Sequence, residues 1–334
     1  INKIILMIPD GFSVEGTTLV RWMNDGRPLA WDPYVCGLVR TYAVGVLITD
    51  SAPAGTAYAT GHKSSPGFIG VMPDEEKDRP GHAVVAHGQG RAPSITILEA
   101  ARLQGRATGV VVTSQVMHAT PAAFTAHSPN RGLMDIIAEQ QVYNGLDVAL
   151  GGGGIYLDPK TRTDRQDLWA VLKRNGVTVV RTPGELAAVQ KGPVWGIFDG
   201  KALTCDKTRD PAVEPSLAEM TSKAIEILNR NEKGFFLMVE GSQIDWAAHG
   251  NDPVAYVADA LAFNKAVERA VDFAKADGHT AVIVVSDHGT GGISIGSAST
   301  DKGYSRRAAQ DFLDPLKRAR SSAYELEKRI RKME

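Results

Sequence analysis

Short, unbroken apolar runs alternate with helical patterns along nearly the whole chain. Residues 3–8 read KIILMI, the kind of run expected of a parallel strand buried on both faces. Similar runs predict strands at 44–49, 107–113, 147–150, 177–180, 194–198, 235–239 and 281–285. Helical patterns lie between them. One spans 94–103, with Ser94 after Pro93 as its expected N-cap. An amphipathic helix starts near Ser216 and closes at 226–230, and residues 253–276 form a long Ala-rich helical pattern. The alternation predicts a single α/β domain over 1–334, with a mostly parallel central sheet and helices on both faces. Ligands of such sheets bind beyond the carboxyl ends of the strands, so chemistry is expected there. Two stretches break the rhythm. Residues 61–93 are rich in Gly, Pro, His and charge and read as a surface excursion; residues 302–334 read as a charged helical segment without a strand.

Composition narrows the class. The 334 residues carry 37 basic and 38 acidic side chains, for a net charge of −1. That balance argues against nucleic-acid or anionic-membrane binding. No stretch approaches the roughly 18 apolar residues of a membrane span. Two cysteines, Cys36 and Cys205, build no disulfide framework, although one bond between them stays open. The chain begins at Ile1, directly in a strand, which suggests a mature or trimmed product and leaves targeting unread.

The strand ends carry polar residues. The first ends in Pro9-Asp10-Gly11. Asp10 read alone is a helix N-cap; read with the other strand ends it is a ligand. The run at 44–49 leads into Asp50-Ser51, followed by small residues that read as a tightly packed helix. Ser51 stands at that helix N-terminus, where free N–H groups favour an anion. It is either a cap or a nucleophile, and with no His nearby in sequence a metal is the natural activator. After 107–113 come His118 and Thr120, two apart and on one side of extended backbone, and then Arg131. Arg131 is a solvated charge unless a phosphate is near, when it becomes a bidentate clamp. The strand at 235–239 leads to Glu240, Asp245, Trp246 and His249, with Asp245 and His249 at i, i+4 on one helical face. The last strand ends in Asp287-His288-Gly289. In a parallel sheet these ends share one edge. Asp with His suits Zn²⁺, and the oxygens of Asp, Thr and Glu suit Mg²⁺, so together they predict a metal cluster.

Five segments jointly resemble the alkaline phosphatases: IILMIPDG (4–11), TDSAPAGTAYATGHK (49–63), HATPAAFTAHSPNR (118–131), MVEGSQIDWAAHGND (238–252) and VSDHGTGG (285–292). The resemblance implies a phosphomonoesterase with two Zn²⁺ and one Mg²⁺ per chain. Ser51 would be the nucleophile, forming a covalent phosphoserine. Asp10, Asp287 and His288, with the Ser51 oxygen, would hold one zinc; Asp245 and His249 would hold the leaving-group zinc. Asp10, Thr120 and Glu240 would hold magnesium. Arg131 would clamp two phosphate oxygens, with Asp50 orienting it. His118 and Trp246 stand where other members carry Asp and Lys, which resembles a bacterial subgroup. His118 is then either a ligand of the third site or a partner behind it. The resemblance further implies phosphate monoester substrates with inorganic phosphate as product, a homodimer, and a periplasmic or secreted location.

One departure stands out. Family members hold the leaving-group zinc with a further His beyond the DHG motif, and no residue after His288 is a His. The favoured expectation is that the chain stops short of a C-terminal part of the family fold. A weakened zinc site and a non-catalytic member are the competing expectations. A phosphodiesterase sharing the same ligands is the alternative activity.

Overall fold

The computed structural model describes residues 1–74 and 90–333. Much of the expected excursion at 61–93 therefore lies outside the described residues. Seven strands form one sheet: β1 (Lys3–Pro9), β2 (Ala107–Gln115), β3 (Val148–Gly152), β4 (Thr178–Val180), β5 (Val194–Asp199), β6 (Phe235–Gly241) and β7 (Thr280–Val284). Their order is β4-β5-β3-β2-β6-β1-β7, and every pairing is parallel. The α/β expectation, a parallel sheet between helical layers, is what the chain adopts.

Twelve helices are described. They are α1 (Val14–Met23), α2 (Ser51–Thr60), α3 (Ile97–Leu103), α4 (Ala119–Thr125), α5 (Met134–Asn144) and α6 (Leu168–Arg174), then α7 (Pro183–Ala188), α8 (Leu217–Leu228), α9 (Gln243–His249), α10 (Pro253–Asp277), α11 (Ala309–Arg318) and α12 (Ala323–Arg331). Alternation along each strand sorts the core in two. Ile5, Met7, Leu237 and Val239 pack against α1, α8, α9 and α10 on one face. Leu6, Ile8, Phe236 and Met238 pack against α2 through α6 on the other. Both faces of the central strands are covered, which is why their sequences read as continuous apolar runs.

Three expectations are corrected. Residues 44–49 form no sheet strand. Among the described residues their one ladder contact is an isolated bridge from Ala43 to Val46, and Leu47 and Ile48 are 91% and 87% exposed. An apolar run with no neighbouring strand cannot join a ladder. The cap of the helix near 94–103 is Thr96, not Ser94: its hydroxyl accepts from Glu99 N while Glu99 reaches back to Thr96 N, a capping box. His118 and Thr120 do not share extended backbone; His118 is the N-cap residue of α4 and Thr120 lies within it. Both cysteines are free thiols, Cys36 exposed. Residues 302–333 carry α11 and α12 and no strand.

Candidate active site

Strand register sets the floor of the site. Glu240 on β6 lies beside Ile8 of β1 and Val112 of β2. By alternation it points to the face of Phe236 and Met238, the face covered by α2 and α4. Asp10 follows Ile8 by two residues and reaches the same region just beyond β1. Its Oδ2 accepts a hydrogen bond from Thr120 Oγ1 at 3.2 Å, and its Oδ1 accepts from Ser51 Oγ at 3.4 Å. Thus two strand ends and two helix N-termini meet.

The next shared point is β7. Just beyond it, Asp287 Oδ1 accepts from Gly11 N at 3.1 Å, and His288 Nε2 lies 3.2 Å from Ser51 Oγ. The sequence offered no His beside Ser51; the sheet supplies one from 237 positions away. His288 Nε2 is also 3.6 Å from Asp10 Oδ1 and 3.4 Å from Asp287 Oδ2. Its other nitrogen has a partner. Thr290 Oγ1 donates to Asp245 Oδ1 at 2.7 Å, so it accepts from His288 Nδ1–H at 3.1 Å. Nε2 faces the Asp10 and Asp287 carboxylates and Ser51 Oγ. Thr290 is a site residue that the motif reading missed, although it stands in the DHGTGG run. Gly11, at φ +65°, is required here: a Cβ would lie 2.5 Å from Asp245 Oδ1.

Asp50 ties three segments together. It caps α2 by accepting from Ala52 N at 2.9 Å, accepts from Gly67 N at 3.0 Å, and pairs with Arg131 Nη1 at 2.9 Å. Arg131 Nη2 lies 3.3 Å from His118 Nε2. Trp246 meets the His118 ring edge-on at 5.4 Å. His249 is the outlier. Its side chain is 70% exposed, and its Nε2 is 3.6 Å from Asp245 Oδ2.

Two groups of candidate ligand atoms emerge among the described residues, each with its atoms within 4.8 Å of one another: Asp10, Asp287 and His288, and Asp10, His118 and Glu240. Among those same residues, Asp245 and His249 gather no third His, Cys or carboxylate. Electrostatics favours a cation in this place. Both carboxylate oxygens of Glu240, Oδ2 of Asp287 and Nδ1 of His118 are buried without a hydrogen-bond partner. Such groups cost free energy unless a cation or proton compensates them. Burial first, then the neighbouring carboxylates, pushes Asp10 and Glu240 well above the usual carboxylate range. Burial likewise raises Asp287 to about 7 and lowers His118 to about 3. The donor set, hard oxygens with imidazole nitrogen, fits Zn²⁺ and Mg²⁺.

Fold and site together define an α/β protein built around a cation-seeking centre of carboxylates and imidazoles, with a helix-borne serine in contact with it. The chain belongs to the alkaline phosphatase family, whose model matches residues 1–324. It is 38% identical to Alkaline phosphatase 3 of Bacillus subtilis (strain 168), over 89% of this chain and 63% of that protein. It therefore spans less than two thirds of that relative's length. The crystal structure of Thermus thermophilus alkaline phosphatase superposes with a TM-score of 0.84 at 32% identity, covering 97% of this chain and 66% of that one. A histidine-to-glutamate variant of the alkaline phosphatase from the Antarctic bacterium TAB5, with Mg bound in its M3 site, superposes with a TM-score of 0.75 at 31% identity, over 89% and 80% of the two chains.

Proposed function

We propose that this chain carries the active centre of a phosphomonoester hydrolase that works through a covalent phosphoserine at Ser51. The observation that carries the reading is the position of Ser51: first residue of α2, capped by Asp50, with Oγ against both His288 Nε2 and Asp10 Oδ1. The N-terminus of α2 favours a phosphate dianion chiefly through the helix dipole, since Ala52 N already serves Asp50 and Pro53 has no N–H. Arg131, anchored on Asp50, takes two non-bridging phosphate oxygens in a bidentate clamp. Ser51 Oγ attacks phosphorus as the ester oxygen departs. Water then cleaves the phosphoserine, releasing inorganic phosphate and restoring the hydroxyl.

Asp10, Asp287 and His288 are the proposed ligands of one zinc, Asp245 and His249 of the second, and Asp10, Thr120 and Glu240 of magnesium. His118 is proposed as a direct ligand of the third site, because it groups with Asp10 and Glu240 and has an unpartnered buried nitrogen. When bound, such ions make a hydroxyl nucleophilic near neutral pH and neutralise the departing oxygen. The single-domain organisation, the homodimer and a periplasmic or secreted location are supported by the family resemblance; no described helix is long and apolar enough to cross a membrane.

Initial rates on 4-nitrophenyl phosphate and on its bis ester, in zinc and magnesium, test the activity. Faster monoester turnover is expected. Faster diester turnover would favour a phosphodiesterase, and phosphate binding with no chromophore release would leave a binding protein.

A further inference from the structure

Arg131 sits at the end of a segment with its own supports. Ile69 and Ser128 exchange both backbone hydrogen bonds at 2.8 Å, and Arg131 N donates to Gly67 O at 2.9 Å. Gln140 of α5 brackets the backbone of His127: its Oε1 accepts from His127 N at 2.7 Å, and its Nε2 donates to His127 O at 2.9 Å. The His127 side chain has no part in the proposed chemistry, yet it is tightly held. Its Nδ1 lies 2.6 Å from Gly70 O and its Nε2 lies 2.8 Å from Glu99 Oε1. Both partners are acceptors. A neutral imidazole has one N–H and would turn a lone pair on one of these oxygens; the imidazolium satisfies both. Glu99 keeps its other oxygen on Thr96 N at 2.9 Å, in the capping box of α3. Gly70 makes the approach possible, because a Cβ there would lie 2.4 Å from Ala126 O and 3.0 Å from His127 Nδ1.

We infer that His127 and Glu99 form a positioning pair for Arg131, a charged strut tying the Arg131 segment to α3 and to residues 67–70, which also anchor Asp50. The inference rests on the reading of Arg131 as the phosphate clamp. Neither side chain of the pair contacts the candidate ligands. The strut acts by preorganising the guanidinium, so its loss weakens phosphate binding more than it slows turnover. The groups facing the ring are the Glu99 carboxylate from α3 and the Gly70 carbonyl. Burial works against the charged ring, but the hydrogen bonds to Glu99 and Gly70 prevail and hold His127 above its ordinary pKa. Loss of that proton slackens the strut, so phosphate affinity falls as pH rises through the raised value. Glu99→Gln offers an uncharged replacement: its amide donates to a neutral Nε2 while its oxygen keeps the cap on Thr96.

The test compares wild type with Arg131→Ala, His127→Ala, Glu99→Ala and Glu99→Gln, all supplied with zinc and magnesium. Calorimetry gives the Kd for inorganic phosphate, and 4-nitrophenyl phosphate gives KM and kcat. Arg131→Ala, His127→Ala and Glu99→Ala are each expected to weaken phosphate binding and raise KM by roughly tenfold, with kcat changed less than about threefold. Glu99→Gln is expected to bind as wild type does and to lose that pH-dependent fall in affinity. A merely structural pair would lower the melting temperature without this split. If Arg131→Ala weakens binding while both Glu99 variants match wild type, the inference is overturned and the clamp stands; this outcome does not depend on His127→Ala folding. If Arg131→Ala itself binds phosphate normally, the clamp reading fails, and the inference with it. Nitrogen NMR of the ring gives an independent check: both nitrogens protonated at neutral pH supports the strut, and a bare ring nitrogen overturns it.

Discussion

At the scale of single residues, the site depends on what each polar atom faces. Ser51 Oγ donates to the Asp10 carboxylate and also lies against His288 Nε2. Ser51→Ala removes the oxygen proposed to carry phosphorus, so a stoichiometric burst with an aryl phosphate is expected to vanish. A burst of normal size in rapid-quench kinetics would exclude Ser51 as nucleophile. His118 has a different consequence. Buried, uncharged and grouped with Asp10 and Glu240, it would offer the proposed third site a nitrogen where magnesium prefers oxygen. His118→Asp is expected to raise magnesium content relative to zinc, as elemental analysis of dialysed protein would show. Residue types at the strand ends suggested metal chemistry, but the Thr290 bridge between His288 and Asp245 could not be read from order along the chain.

At the scale of elements, caps connect helices to the site. Asp252 is buried. Its Oδ1 accepts from Val254 N and Ala255 N at the start of α10, and its Oδ2 accepts from Ala323 N and Tyr324 N at the start of α12. One carboxylate thus caps two helices three residues beyond His249. Asp252→Ala is expected to cost more than the ~1 kcal/mol of an ordinary cap, read as a fall in denaturation midpoint. A loss no larger than that of an exposed single-cap variant such as Asp167→Ala would show that α12 docks without it. Apolar runs foretold seven strands because buried parallel strands need such runs. The same rule misread 44–49, because a run shows apolar character and not whether a neighbouring strand exists.

At the scale of the whole molecule, the fold buries several carboxyl groups, three of them at the ends of β1, β6 and β7. Asp10, Glu240 and Asp287 all have raised pKa values, chiefly through burial, and Asp259 is likewise raised to about 7. Each binds its proton more tightly folded than unfolded. Their contribution to stability is fully present below the unfolded carboxylate range and is lost as pH rises through the folded values. The metal-free protein should therefore melt at a lower temperature near pH 8.5 than near pH 5.5, and zinc with magnesium should remove most of the difference. Melting curves with and without a chelator check this; a flat profile in chelator would count against the charged cluster. The sequence by itself determined the alternation of strands and helices, the helix that presents Ser51, the i, i+4 spacing of Asp245 and His249, and the family, because propensity, periodicity and motif are local properties. Tertiary structure alone decided which distant groups meet: His288 against Ser51, His118 beside Glu240, and Glu99 beneath His127. It also decided burial, since 281–285 reads as apolar as 4–8, yet β7 lies at the sheet edge and stays half-exposed. Such facts depend on strand order and crossover path, and no local pattern along a chain encodes them.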